Sequence, residues 1–424
     1  GLKKRGIKRG DRIATLMGKS KEYIVTLLAI WRIGAVHVPL FTAFSPPAIT
    51  LRVNGSNSKI VFCDQKQQSK LKPSDDFVPQ SKLDVITTAS FEQTPNWADR
   101  WEDLLDTNAP IEEEAGLDPD AAIIHIFTSG TTGEPKGVSL PVKALACIEA
   151  YAEFAFDLRQ TDIFWNAADP GWAYGLYCGI LASLTTGTPA ILFEGGFSAQ
   201  ATIDIIEKQK ITNFAAAPTV YRSLRADGVE ISARHRLRCL SSAGEPLTPE
   251  INEWAKAFFG LSVHDHYGQT ETSMVINNHH HPDLKTNLRD GSMGKVMPGW
   301  SATVLKNNED VPEEPGVPGR VAFIVSESPF SWFAGYVGNP KKSAEKFSKD
   351  GRYYLTGDTG SLDENGYFYF STRDDDVIIM AGYRIGPFEV ESALSTHKAV
   401  AECAVIATPD AVRGEVIEAF VVLM

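Results

Sequence analysis

Residues 121–137 read AAIIHIFTSGTTGEPKG, an apolar run that ends in a loop of glycine, serine and threonine. The apolar part, 121–127, predicts a buried strand, because a short apolar run bounded by turn-forming residues is typical of one. The glycines that follow let the backbone fold tightly, so that several N–H groups can face one concavity. Hydroxyl groups and the Lys136 amine add donors, and together they suit a polyphosphate. Because Pro135 stands where a Walker A loop has glycine, the loop is not of that type.

The same alternation of strand and helix recurs in the preceding and following sequence. Strands are predicted at 11–16, 36–40, 59–63, 213–216, 237–241 and 261–266, and helices at 22–33, 142–156 and from 219 to 224 onwards. This alternation predicts an α/β fold with mostly parallel sheets covered on both faces. Ligands of such folds gather beyond the carboxyl ends of the strands. Polar, glycine-bearing loops follow the strands at 128–137, 243–246 and 267–271, so we expect one site assembled from several loops.

The composition changes after residue 291, where Pro298, Pro312, Pro315 and Pro318 separate short β-rich segments such as 321–325 and 367–370. A small antiparallel or barrel-like subdomain is predicted over 291–372. The charged turn 373–376 then precedes strand 377–380, helix 388–395, and strands 401–407 and 419–424. We therefore predict an N-terminal core over 1–372, a hinge at 373–376 and a partial α+β C-terminal domain over 377–424.

Composition limits the classes of function. The chain has 424 residues, enough for two or three domains, and its net charge of −12 disfavours nucleic acid and anionic membranes as partners. Residues 170–193 carry no charge, but turn formers at 185–189 interrupt them. They predict a buried helix over 175–184 and a strand over 190–193, without a membrane span.

Cysteine and histidine patterns give no sign of a metal site. No C-x-x-C motif occurs among the five cysteines, which we expect to be reduced thiols that pack as small hydrophobic groups. The run His279-His280-His281 is predicted to be a solvated loop. Reduced thiols and the lack of a signal peptide predict a cytoplasmic protein.

The loop at 128–137 resembles the phosphate loop of the adenylate-forming superfamily, which includes acyl-CoA synthetases, aryl-CoA ligases, luciferases and peptide-synthetase adenylation domains. Five further stretches resemble the motifs of this superfamily in the same order along the chain: 244–246, 265–271, 354–358, 373–376 and 382–387. Residues 41–44 and 168–172 are most similar to short- and medium-chain acyl-CoA synthetases of the acetyl-CoA synthetase type.

The resemblance implies an enzyme that uses ATP, Mg²⁺ and coenzyme A. A carboxylic acid attacks the α-phosphorus of ATP to give an acyl-adenylate and pyrophosphate, and the thiol of coenzyme A then releases AMP. The residues implied for ATP or AMP are Thr128, Ser129, Gly130, Thr131, Thr132, Gly133 and Lys136; Gly244, Glu245 and Pro246; Asp265, His266, Tyr267, Gly268, Gln269 and Thr270; and Asp358 and Arg373.

Individual roles follow from the same resemblance. Asp358 binds the ribose hydroxyls, Glu271 holds Mg²⁺, and Glu245 and Asp265 frame the adenine. The groups that act on the reacting phosphates are Lys136, Thr270, Arg373 and Arg384. Coenzyme A passes Ala381, Gly382, Tyr383 and Arg384, and the C-terminal domain rotates about Asp375. None of the cysteines need be a nucleophile, because the thiol comes with the substrate.

Gly268 and Trp172 bear on the size of the acid. Acetate-specific relatives carry a tryptophan at the position of Gly268, so the glycine predicts a more open pocket for acids larger than acetate. Trp172 is either a wall of this pocket or a core tryptophan. An apolar pocket discriminates by only about 1–3 kcal/mol per methylene, so we expect some promiscuity.

Two other functions remain open at this point. One is an adenylation domain that loads the thiol of a carrier protein, and the other is a non-catalytic module that binds a nucleotide. The superfamily's C-terminal P-K-T-x-x-G-K motif, whose lysine stabilises the adenylation transition state, does not occur in the chain. The chain is then either a fragment of a longer enzyme or a natural truncation with weak adenylation, and because the sequence stops inside a predicted strand we expect a fragment.

Overall fold

The structure is a computed structural model that describes residues 1–105, 114–128, 135–373, 376–380, 383–395, 397, 399–410 and 413–423. The strands are β1 Arg12–Leu16, β2 Val36–Pro39, β3 Ile60–Cys63, β4 Asp84–Thr87, β5 Asp99–Arg100, β6 Ala122–Thr128, β7 Lys136–Pro141, β8 Phe164–Asn166, β9 Asn213–Ala216, β10 Cys239–Ala243, β11 Val263–Gln269, β12 Ser273–Asn277, β13 Ser292–Val296, β14 Ala302–Leu305, β15 Gly319–Ile324, β16 Tyr353–Leu362, β17 Phe368–Arg373, β18 Ile378–Met380, β19 Tyr383–Ile385, β20 Val400–Asp410 and β21 Gly414–Leu423.

The α-helices are α1 Lys21–Arg32, α2 Pro46–Ser56, α3 Ala144–Phe154, α4 Ala173–Gly175, α5 Ala182–Thr186, α6 Ala199–Lys208, α7 Pro218–Ala226, α8 Pro249–Phe259, α9 Pro340–Ala344 and α10 Pro387–Ser395. A π-helical stretch, Leu176–Leu181, joins α4 to α5. Short 3₁₀ turns lie at Lys3–Arg5, Gln68–Leu71, Phe91–Gln93, Glu102–Leu104 and Val325–Glu327.

The first sheet has the strand order β5-β4-β3-β1-β2-β6-β7. All its pairings are parallel except the last, in which β6 and β7 form a hairpin with Thr128 opposite Lys136. The predicted polyphosphate loop therefore connects two antiparallel neighbours. Its residues Ser129, Gly130, Thr131, Thr132 and Gly133 lie outside the described residues, but both ends of the hairpin are described.

The second sheet has the order β14-β15-β16-β17-β13-β12-β11-β10-β9-β8. Strands β8 to β11 are parallel and the rest are antiparallel. The α/β class predicted from the alternation is confirmed. The β-rich segment predicted over 291–372 is antiparallel, and its strands continue the sheet that β8–β11 begin instead of closing a barrel of their own. This continuity brings β16 to the same region as the end of β11.

A third sheet, with the order β19-β18-β21-β20, is antiparallel and carries α10 on β20. Within the described part of the chain, none of its strands pairs with the other two sheets. It touches the second sheet through α10 and β17, where the rings of Phe370 and Phe388 lie 6.1 Å apart.

Helix ends follow local chemistry. The Ser20 side chain caps α1 by accepting a hydrogen bond from the backbone of Tyr23. Helix α8 begins with Pro249, whose missing N–H costs nothing at a first turn, and ends before Gly260 in the left-handed conformation. Such signals are local, and the sequence placed α1, predicted at 22–33, within one residue at each end, whereas α8 was not predicted.

The uncharged stretch 170–193 is helical where predicted but not a strand at its end. Residues 173–186 form the α-π-α segment, whereas 190–193 makes only one isolated bridge, between Ala190 and Phe164. The predicted strand is therefore wrong. Instead, the side chain of Leu192 packs against the main hydrophobic core, and that of Phe193 packs against a second core around β8, β9 and β10. None of the described helices combines the length and apolar composition that crossing a bilayer requires.

The histidine run is buried, which corrects the expectation of a solvated loop. His279 is 4% exposed and His280 is 8% exposed. The His280 ring stacks on His264 at 3.6 Å, and its Nε2 lies 3.1 Å from the Leu240 carbonyl. Residues 278–281 thus pack against strands β10 and β11 of the second sheet. Cys63, Cys147, Cys178 and Cys239 are buried free thiols, as predicted.

Acid should unfold this protein steeply, because six buried histidines are neutral in the folded chain. Burial lowers the pKa of His37 to about 3 and of His125, His264 and His279 to about 4, and holds the pKa values of His266 and His280 well below the ordinary value. In the unfolded chain these groups take up protons near pH 6.5, and each proton costs about 1.4 kcal/mol of stability per pH unit below that.

Three buried carboxyls act in the opposite direction. Burial raises the pKa of Asp265 to about 7 and raises the pKa values of Asp169 and Asp358 above the ordinary value. Because the six histidines outnumber these three carboxyls, the unfolded chain binds more protons than the folded chain, and stability falls as pH drops below 6.5.

Urea unfolding at pH 7.5, 6.5 and 5.5 checks this expectation. The free energy of unfolding should be highest at pH 7.5, lower at pH 6.5 and lower again at pH 5.5. His279→Leu should remove about one proton from the slope, whereas His397→Gln, at an exposed site, should leave the slope unchanged. Equal stability at pH 7.5 and 5.5 would contradict the prediction.

Candidate functional site

Segments from two sheets meet at the carboxyl ends of β10 and β11. These strands are parallel neighbours, with Ala243 opposite His266, so the segments that follow them lie side by side. The hairpin β6/β7 reaches the same place from the first sheet, since the backbone N–H of Val337 donates to the Gly137 carbonyl at 2.8 Å. Loops predicted from sequence to form one site are therefore anchored in one region.

Asp358 is the centre of a hydrogen-bond network. Its Oδ2 accepts from the hydroxyl of Tyr267 at 2.5 Å and from Nε2 of Gln269 at 2.8 Å. Gln269 is itself fixed, because its Nε2 also donates to the Thr356 carbonyl at 2.9 Å and its Oε1 accepts from the Tyr354 hydroxyl at 2.9 Å. The other carboxylate oxygen of Asp358, Oδ1, has no hydrogen-bond partner among the described residues. The side chain is thus held in one rotamer, and Oδ1 is available as a hydrogen-bond acceptor.

Opposing effects set the charge of Asp358. The residue is 6% exposed, and burial raises the pKa of its carboxyl above the ordinary value. The hydroxyl of Tyr267 and the positive charges of Arg373 and Lys346 oppose this shift and lower the pKa. Arg373 stands directly across the sheet, opposite Asp358 in the β16/β17 register. A buried carboxylate kept charged by nearby cations is suited to accept strong hydrogen bonds.

Glu271 forms a second acidic position, linked to the hairpin of the first sheet. Its Oε1 accepts from the Tyr336 hydroxyl at 2.6 Å, and Lys136 Nζ lies 5.0 Å from the centre of the Tyr336 ring. The residue is 7% exposed, and its Oε2 has no hydrogen-bond partner within the described part of the chain. Lys136, Tyr336 and Glu271 therefore connect the end of the threonine-rich loop to the strand that carries Gln269.

The turn after β10 is fixed by helix α7 and by Asp265. Gly244 has a φ of +97°, which favours glycine. The carboxylate of Glu245 is occupied, because it accepts from Thr219 Oγ1 at 2.7 Å and from Arg222 Nη2 at 2.6 Å. Burial raises the pKa of Asp265 to about 7, against hydrogen bonds from the backbone at Leu247 and His266. Asp265 is therefore adjacent to this turn, which ends at Pro246.

Two residues of the 265–271 motif face away from the network. His266 Nδ1 lies 2.7 Å from the Tyr151 hydroxyl inside the core, so only its backbone is available to a ligand. Gly268 lies at a bulge in the β11/β12 pairing, where a Cβ atom would come within 1.9 Å of the Ser273 carbonyl oxygen. Glycine is required there by close backbone approach, a reason that is independent of any acyl pocket.

Trp172 is 53% exposed, with its ring 5.3 Å from that of Phe41. The core interpretation of this tryptophan is therefore wrong. Its place in an acyl pocket stays a prediction, as do the roles of Thr270, which is half-buried after β11, and of Arg384. Asp375, Ala381 and Gly382 lie outside the described residues, and so do the side chains of Tyr383 and Arg384.

Sequence reasoning missed two residues that touch this network. Tyr336 and Lys346 lie 65 and 75 positions from Glu271 along the chain. Lys346 Nζ donates to the Thr356 carbonyl at 2.7 Å. Neither residue belongs to a recognisable motif, so no signal in the sequence marks it.

Comparisons with known proteins agree with this geometry. A family model described as AMP-binding enzyme matches residues 1–336, and one described as AMP-binding enzyme C-terminal domain matches residues 389–424. The mitochondrial acyl-coenzyme A synthetase ACSM3 of Rattus norvegicus is 34% identical over 98% of this chain and 71% of its own length. The acetyl-coenzyme A synthetase of Bacillus subtilis is 34% identical over 98% of this chain and 72% of its own length.

Solved structures include the acyl-CoA synthetase of Brucella canis, which is 43% identical. It superposes with a TM-score of 0.81 over 100% of this chain and 76% of the other. The relatives thus come from bacteria and from mitochondria.

Proposed function

Since this chain belongs to the AMP-binding enzyme family and is an ATP-dependent acyl-CoA synthetase, we propose that its nucleotide binds at the network around Asp358. The observation that supports this assignment is the hydrogen bond from Gln269 to Asp358. Gln269 precedes Glu271 by two residues, so this contact brings the two acidic positions into one site. The enzyme joins a carboxylic acid to AMP, releases pyrophosphate, and transfers the acyl group to coenzyme A.

The ribose is the part of ATP that Asp358 suits. Tyr267 and Gln269 hold Oδ2 and fix the rotamer, so that Oδ1 is available to the ribose hydroxyls. The adenine lies against the turn 244–246 and Asp265. Because Thr219 and Arg222 occupy the Glu245 carboxylate, Glu245 frames the adenine through its backbone.

Mg²⁺ arrives with ATP, and Glu271 fits it. Magnesium binds through one or two carboxylates and takes phosphate oxygens and water as its other ligands. The described residues contain no cluster of three or more histidine, cysteine, aspartate or glutamate side chains that would hold a metal alone. Glu271 Oε2 is the oxygen available for this purpose, because Tyr336 binds Oε1. When bound, the metal neutralises charge on the phosphates.

The chain's own groups position the reactants. Lys136, Thr270 and Arg373 surround the phosphates with positive charge and a hydroxyl donor. In the first step an oxygen of the substrate carboxylate bonds to the α-phosphorus, the bond to the bridging oxygen breaks, and pyrophosphate leaves. The main barrier is the crowding of negative charge, which fixed cations and donors lower by positioning and electrostatics. In the second step the sulfur of coenzyme A attacks the acyl carbonyl and AMP leaves.

We propose that the substrate is a short- or medium-chain carboxylic acid larger than acetate. The exposed ring of Trp172, 5.3 Å from that of Phe41, supports an acyl pocket that opens at this surface. Because an apolar pocket separates homologues by only about 1–3 kcal/mol per methylene, several acids should be accepted.

A screen of C2 to C12 acids tests the function. Acid-dependent exchange of pyrophosphate into ATP is expected, and addition of coenzyme A should speed the release of AMP. Exchange without any effect of coenzyme A would point instead to a carrier-protein thiol as the acceptor. Tight ATP binding in calorimetry without turnover of any acid would contradict the enzyme and favour a binding module.

The division into 1–372, a hinge at 373–376 and 377–424 is part of the proposal. The separate pairing of β18–β21 supports it. Because rotation of the C-terminal domain separates the two half-reactions, Asp375→Pro should slow transfer to coenzyme A far more than pyrophosphate exchange. Equal loss of both activities would contradict the hinge, and Asp375→Ala, which leaves the backbone free to rotate, serves as the control.

We place the enzyme in the cytoplasm. Its free cysteines support a reducing compartment. Cell fractionation with an antibody to the protein tests this location, and recovery in an organelle or outside the cell would overturn it.

A further inference from the structure

Lys346 is a cation at the nucleotide site that belongs to none of the motifs. It follows α9 and is half-buried, with its backbone carbonyl accepting from the N–H of Leu355 at 2.8 Å. Its Nζ lies 5.2 Å from the centre of the Tyr354 ring and donates to the Thr356 carbonyl at 2.7 Å. The side chain therefore reaches the turn that carries Asp358.

The Thr356 carbonyl is held from two sides. Gln269 Nε2 donates to it at 2.9 Å, and the same nitrogen donates to Asp358 Oδ2. Gly357, between them, has a φ of +79°, and a Cβ atom there would lie 3.7 Å from Lys346 Nζ. Lys346 and Gln269 thus clamp the peptide that enters a left-handed turn, and the direction of the Asp358 side chain depends on that turn.

Nearby acidic and basic side chains act on the pKa of Lys346. Burial lowers the pKa of Lys346; Glu271 and Asp358 oppose this shift by favouring the charged form, and Lys136 and Arg373 add to it. No carboxylate forms a salt bridge with it in the described ranges of the chain. In turn, Lys346 lowers the pKa of Asp358, which burial raises. The ammonium thus offsets negative charge at the ribose side of the site.

We propose that Lys346 is a positioning residue for ATP, which fixes the Thr356–Asp358 turn and supplies positive charge beside the Asp358 carboxylate. This inference rests on the proposed binding of ribose by Asp358. Lys346 acts through Asp358 and not by contact with the acid or coenzyme A, so its loss affects the nucleotide selectively.

Three substitutions separate the hydrogen bond from the charge. Lys346→Met keeps the aliphatic stem alone, Lys346→Gln keeps a donor without charge, and Lys346→Arg keeps both. Lys346→Met should raise KM for ATP about 10-fold or more, as the loss of one charge-assisted hydrogen bond does. Its kcat and its KM for the carboxylic acid should stay within about threefold, because neither involves Asp358.

The pH profile gives a readout that a merely structural role would not move. As pH falls, Asp358 becomes protonated and kcat/KM for ATP declines. Without the nearby positive charge, this acidic limb should shift to higher pH in both Lys346→Met and Lys346→Gln. Lys346→Arg should restore the wild-type limb and most of the affinity.

Lys342→Met is the matched control, since Lys342 lies four positions earlier and pairs with the exposed Glu345 at 2.8 Å. It should leave KM for ATP and the acidic limb unchanged. A KM for ATP within twofold of wild type in Lys346→Met, or an equal rise in KM for ATP and acid with an unmoved limb, overturns the proposal. If Lys346→Met does not fold, the limb of Lys346→Gln decides. Failure of the proposed function is distinct, because wild-type protein would then show no acid-dependent exchange.

Discussion

Asp358→Asn is expected to lower kcat/KM for ATP by about 100-fold. A carboxylate that accepts two hydrogen bonds from ribose contributes about 1.5 kcal/mol for each, because hydrogen bonds to a charged group are stronger than neutral ones. Asparagine keeps the shape but brings a donor next to the Tyr267 hydroxyl and the Gln269 amide, which already point at Oδ2. The loss should appear mainly in KM for ATP, measured by pyrophosphate exchange at saturating acid.

Asp363→Asn is the matched control for this variant. Asp363 lies five positions further on, outside the network, where it pairs with Arg289. It should change kcat/KM for ATP by less than about twofold, as surface ion pairs contribute little. If Asp358→Asn kept wild-type KM for ATP while folding normally, the ribose assignment would be wrong.

Glu271→Gln is expected to lower kcat about 100-fold at saturating ATP. Removing one preformed electrostatic group at a reacting phosphate commonly costs 10²- to 10³-fold. Glutamine can still accept from Tyr336, so the fold around the side chain is kept and the loss reports the missing charge at Oε2. The Mg²⁺ concentration for half-maximal rate should also rise.

The control for the second variant is Glu345→Gln. Glu345 is exposed and pairs with Lys342 outside the network. Its kcat and Mg²⁺ dependence should match the wild type. A kcat for Glu271→Gln within threefold of wild type, at every Mg²⁺ concentration, would exclude Glu271 as the metal-binding carboxylate.

Local patterns predicted much of the fold because the forces behind them are local. The apolar run at Asn213–Ala216 is the strand predicted, to the residue, and α10 begins one position from its predicted start. The run at 190–193 shows the limit of such reasoning. A four-residue apolar segment can bury its side chains without pairing its backbone, and only the neighbouring strands decide which occurs.

In the candidate site, too, the motif residues could be predicted from the sequence, but the partners of their side chains could not. Its motif residues were found because each motif is contiguous, and Tyr267, Gln269 and Asp358 do converge. The side chains of Glu245 and His266 turn to Arg222 and Tyr151 instead, and neither partner is near in sequence.

The sequence by itself determined the alternation of strands and helices, the order of the motifs and the types of group that could bind a nucleotide, since all three depend on adjacent residues. Only the tertiary structure decided that Tyr336 binds Glu271, that Lys346 clamps Thr356 and that the histidine run is buried. These depend on which distant segments the two sheets bring together. Packing between segments far apart in the chain leaves no local pattern in the residues it joins.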